Sequence, residues 1–100
     1  MKQFKVSIFN EAANDFNKAL DFYKTINVVV AKKFNKSTKE ALNDLKKNPF
    51  YQIRYDDFRL KTVKGYPYVF HFTVDDKLQR VFVYGLKNTF QNPETSYIKK

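Results

Sequence analysis

The chain is 100 residues long, 43% hydrophobic and 18% aromatic, and carries a formal charge of +9 with no cysteine. A chain of that length buries roughly 65% of the surface its unfolded form exposes, enough for one core and one domain over residues 1–100. Without cysteine there are no disulfides, thiolate metal sites or cysteine nucleophiles, and the longest apolar run, 28–31, is far short of the ~20 residues that span a bilayer.

The N-terminus has no apolar signal core, so a soluble, unprocessed, cytoplasmic chain with no membrane partner is expected. Phe4, Val6 and Ile8 alternate with Lys5 and Ser7, the period of a half-buried strand. Asn10 then stands where a helix cap belongs. Ala12, Phe16, Ala19, Leu20 and Tyr23 recur at helical spacing after it, and Glu11 suits the first turn. A break at 25–27 leads to a second helix with Val30, Phe34, Ala41, Leu42 and Leu45 on one stripe and Lys32, Lys33, Lys36 and Lys39 elsewhere, ended by Pro49.

Beyond Pro49 the period changes to two. Phe58, Leu60 and Thr62 form one strand; Gly65, Tyr66 and Pro67 mark a turn; Tyr68, Phe70, Phe72 and Val74 form its antiparallel neighbour. Asp75, Asp76 and Lys77 turn the chain into a last strand from Arg80 to Leu86, and 88–100 reads as a loose tail. The expected fold class is α+β, with an N-terminal strand and a two-helix hairpin packed on an antiparallel-rich sheet of four to five strands.

If Phe58, Leu60, Phe70 and Phe72 all point to the helices, then Arg59, Lys61, His71 and Thr73 share the opposite, basic and open face. The alternative is a solvated face on which His71 does nothing. The paired carboxylates Asp56-Asp57 and Asp75-Asp76 sit in turns, a lone histidine makes no metal site, and neither glycine belongs to a phosphate-cradling loop. No cofactor or metal is expected. Lysine supplies nearly all the charge, and the field of such a surface draws an anionic partner.

The order of these elements, with Ala12, Asp15, Tyr23 and Phe34 in the hairpin, Leu45 and Asn48-Pro49 closing it, then Arg59, Tyr66-Pro67-Tyr68, Phe72, Val74-Asp75 and Asn92-Pro93, resembles the RelE/ParE superfamily of bacterial type II toxin–antitoxin modules. The resemblance covers nearly the whole chain. It implies a growth-inhibiting toxin held in a hetero-oligomer by a small acidic antitoxin. One branch of the superfamily cuts messenger RNA on the ribosome, and another poisons DNA gyrase. A small basic nucleic-acid-binding domain outside any such module is the remaining alternative. Metal-independent RNA cleavage needs proton carriers and cations around the phosphate. The candidates here are His71, Arg59, Lys61, Tyr84 and Lys87. The ribonuclease branch typically places a basic residue after the aromatic that opens the penultimate strand, and this chain has Val69 there.

Overall fold

The computed structural model describes residues 3–89; Asn92-Pro93 and most of the expected tail lie outside them. In chain order the elements are β1 (Lys5–Ile8), α1 (Asn10–Ile26), α2 (Val28–Lys47), β2 (Ile53–Tyr55), β3 (Phe58–Thr62), β4 (Tyr68–Asp75) and β5 (Arg80–Asn88). The strands form one sheet in the order β1-β5-β4-β3-β2. Among the described residues only the β1–β5 pairing is parallel, which fits a helical hairpin crossing between them. The expected α+β architecture is what the chain adopts.

Local differences from the expectation have physical causes. Asn10 is the first helical residue, and Phe9 occupies the cap position of α1 with no side-chain hydrogen bond. The capping asparagine is Asn27 instead: its side chain accepts from the Val29 amide at 2.7 Å and so offsets the poor helix propensity of the valines at 28–30. The last strand continues to Asn88, and the Thr89 amide donates to the Pro67 carbonyl at 2.8 Å. The short β2 was not expected; Ile53 and Arg54 are both exposed, so no alternation marks it. It joins β3 through the Asp56-Asp57 turn, where Asp56 takes a left-handed φ of 47°.

The core lies between the hairpin and one face of the sheet. Phe34, Leu45, Phe72, Val81 and Val83 are completely buried there. Tyr66 and Tyr68 each bring a ring against Tyr23 and Phe34, with centroid separations from 4.9 to 6.3 Å across the cluster. The Tyr66 hydroxyl also donates to the Val30 carbonyl at 3.0 Å. The Tyr-Pro-Tyr turn therefore locks the sheet to the hairpin, and Gly65 gives it the positive φ of 84° that it needs. Among the described residues no helix is long and apolar enough to cross a membrane.

Candidate functional site

The register of β3 on β4 decides which candidate residues meet. Arg59 lies opposite Phe72, Leu60 opposite His71 and Lys61 opposite Phe70. Paired residues share a face, so Arg59 and Lys61 lie on the helix side with Phe70 and Phe72, while His71 lies on the far side with Phe58 and Leu60. The expected common face for Arg59, Lys61 and His71 does not form. Phe58-Leu60 and Phe70-Phe72 are both apolar at alternate positions, but they belong to opposite faces of the sheet.

On the helix side, Arg59 Nε donates to the Tyr51 carbonyl at 2.6 Å and its guanidinium stands 5.7 Å from the Phe50 ring centroid. Lys61 Nζ donates to the Tyr51 hydroxyl at 2.9 Å and pairs with Asp44 of α2 at 3.3 Å. Burial works against the Lys61 charge, but the Tyr51 hydroxyl and Asp44 outweigh it, and the net pKa is raised. These two cations hold the segment 49–51 against β3. Asn48 fixes the start of that segment by accepting from the Phe50 amide.

On the far side, His71 is only 1% exposed, so that face is not open at its centre. Its Nδ1 lies 2.9 Å from the Tyr55 hydroxyl. Burial, reinforced by the positive charge of Lys87 and opposed by Asp15, lowers its pKa to about 4. The imidazole is therefore neutral near pH 7. Around it runs a chain of rings: Tyr55 stacks on Phe58 at 4.9 Å, Phe58 meets Tyr84 at 5.0 Å, and Tyr84 meets Phe9 at 4.8 Å. Tyr84 sits at a β-bulge, because His71 pairs with Gly85 while Phe72 pairs with Val83.

Lys87 stands at the end of β5, where its ammonium contacts Asp15 at 3.1 Å and Glu11 at 3.9 Å. The other α1-facing contact at this edge is the Leu86 amide, which donates to Asp15 Oδ2 at 3.1 Å. Val69 pairs with Lys87 on one side and Thr62 on the other. Tyr55 was the polar residue that the sequence reading missed. Its signal was available in the Asp56-Asp57 turn, since a two-residue connection sets Tyr55 directly opposite Phe58 and hence on the His71 face. Among the described residues no cluster of His, Asp or Glu could hold a metal ion.

No protein-family model and no curated protein matches the sequence. Among solved structures, the chain is similar to one from a chromosomal ParDE TA system of P. aeruginosa, with a TM-score of 0.72 over 86% of this chain and 96% of that one. The fold is RelE/ParE-like. A second similar structure is the toxin–antitoxin complex RelBE2 from Mycobacterium tuberculosis, with a TM-score of 0.61 over 86% of this chain and 98% of that one. Identity is 15% in both cases, so the likeness is one of fold. Within a RelE/ParE-like fold the sheet and hairpin are common property, and any activity rests on the side chains placed upon them.

Proposed function

We propose that this chain is the toxin of a toxin–antitoxin module and that it acts by binding its target instead of cutting RNA. The observation that carries this reading is the β3–β4 register. It puts the cations Arg59 and Lys61 on one side of the sheet and the neutral, buried His71 on the other, so no phosphate held by the first two reaches the third. Lys87 is tied to Asp15, and Val69 supplies no charge in its place. The superfamily branch that fits such a chain is the one that inhibits DNA gyrase, and gyrase is the target assigned here.

The antitoxin is an acidic segment with an apolar stripe. A groove of about 240 Å³ between the two helices, floored by Ala12, Phe16, Leu42 and Phe70 with Lys39 at its lip, suits a few apolar side chains of such a segment. The +9 charge would speed its approach. Induction of the chain in cells, followed by measurement of mRNA integrity and plasmid supercoiling, tests the reading. Supercoiling should fall while mRNA stays intact. Discrete mRNA cleavage that disappears in an Arg59→Ala, His71→Gln double variant would overturn it and restore the ribonuclease.

A further inference from the structure

The exposed side of α2 carries Lys32, Lys36, Lys39 and Lys46 along one shallow trough, joined by Asn35 and Asn43. The span from Lys32 to Lys46 is about 21 Å at the α-helical rise. Every one of these lysines is exposed. None takes part in an ion pair among the described residues, where the paired lysines are Lys61 and Lys87. Among the described residues Glu40 is the sole carboxylate lining the trough. A row of unneutralised charge with this spacing repels itself, and a polyanion laid along it relieves that repulsion.

We infer that this stripe of α2 is a docking surface for the phosphate backbone of duplex DNA, bound without regard to sequence. The side chains select this partner over others. Among the described residues no aromatic ring lines the trough, so they offer none of the stacking platforms on which single strands depend. Among the described residues Leu42 is the one apolar side chain that lines it, too little to bury the face of a partner helix, and the apolar groove, which shares Asn35, Lys39 and Leu42 with it, runs alongside. A helix about 10–12 Å across fits the mouth of the B-form major groove and reaches phosphates on its walls, whereas the A-form groove of duplex RNA is too narrow. The lysines supply point charges, and the two asparagines have amides that donate to phosphate or sugar oxygens. This inference is independent of the gyrase assignment, since the stripe would bind DNA whatever the toxin's protein target.

The test is fluorescence anisotropy of a labelled 20-base-pair DNA duplex titrated with the full chain at several salt concentrations. Four neutralised phosphates predict a log–log salt slope of about −3.6, and an affinity loss of about 150-fold between 50 and 200 mM salt. A Lys32→Gln, Lys36→Gln, Lys39→Gln, Lys46→Gln variant should lose most of that slope. A variant with the same net charge, made by Lys18→Gln, Lys24→Gln, Lys64→Gln and Lys77→Gln, should keep it. Circular dichroism melting of both confirms that they are folded. Equal losses in the two variants would reduce the effect to net charge and overturn the proposal. So would tighter binding of duplex RNA, or displacement of the DNA by a polyglutamate peptide of matched charge at matched concentration.

Discussion

The two faces of the sheet bury aromatic residues in different company. On the helix side Phe72 and Phe70 meet the apolar hairpin, while Arg59 and Lys61 are left to hold a surface segment. On the far side Phe58 is as fully buried as Phe72, yet its neighbours are Tyr55, Tyr84 and, beyond Tyr55, His71. A lone histidine among rings on a sheet face reads in sequence as a candidate base. In the fold it is a packed, neutral ring, and its burial sets both its charge state and its remoteness from the cations.

The two fully buried phenylalanines carry the largest expected effects. Phe72→Ala should cost about 3–5 kcal/mol in urea-unfolding free energy, the usual range for removing a fully buried ring. Phe58→Ala should cost at least about 2 kcal/mol if the far face is a second packed layer. A cost below about 1 kcal/mol would show that its aromatic residues are ornament and would reopen that face as a binding surface.

Burial makes the contribution of His71 to stability depend on pH. Its folded pKa is about 4, against 6.5 in the unfolded chain, so between those values the unfolded state binds more protons. Its contribution to stability is therefore complete above about pH 6.5 and is lost as pH falls toward 4. The gap corresponds to up to about 3 kcal/mol. Unfolding midpoints measured from pH 7 to pH 4 should fall more steeply for the native chain than for His71→Gln, whose remaining slope comes from carboxylates common to both. Parallel curves would mean that the ring is protonated in place.

Asp15 joins the two layers at the open edge of β5, beyond the point where β1 stops pairing. Asp15→Ala leaves the Leu86 amide and the Lys87 ammonium without this acceptor, and should cost about 2 kcal/mol. Asp15→Asn, which keeps an acceptor oxygen for the amide, should recover more than half of that. Equal costs would assign the effect to the Lys87 charge pair.

How much of this was legible in the sequence depends on whether the signal was local. The periods of β1, α1, α2, β3, β4 and β5 are written in consecutive residues, and the Tyr66-Pro67-Tyr68 turn carries its own chemistry, so the α+β order could be read. Whether Arg59 and His71 share a face could not. Alternation states which residues of one strand lie together, but the register of β3 on β4 depends on the length and shape of the 63–67 turn. A slip of one residue exchanges every side chain. The common face of Arg59, Lys61 and His71 rests on one of two patterns of equal apolar content, and the register follows the other, whereas the scaffold is insensitive to that choice.

The smallest predicted effect lies with Lys61, and it tests whether the helix-side cations are surplus to folding. Lys61 pairs with an Asp44 carboxylate whose side chain is 51% exposed, so solvent screens most of the attraction and Lys61→Met should cost less than about 1 kcal/mol. Because the folded pKa is raised, the contribution is fully present below the ordinary lysine value of 10.5 and fades as pH rises through the folded pKa. A double-mutant cycle with Asp44→Asn should give a coupling of about 0.5 kcal/mol at low salt that vanishes in 1 M sodium chloride. A coupling above about 2 kcal/mol that survives salt would contradict the contrast drawn between the faces. Lys61 would then be a structural cation, and the helix side would hold a polar lock as strongly coupled to folding as His71 is on the far side.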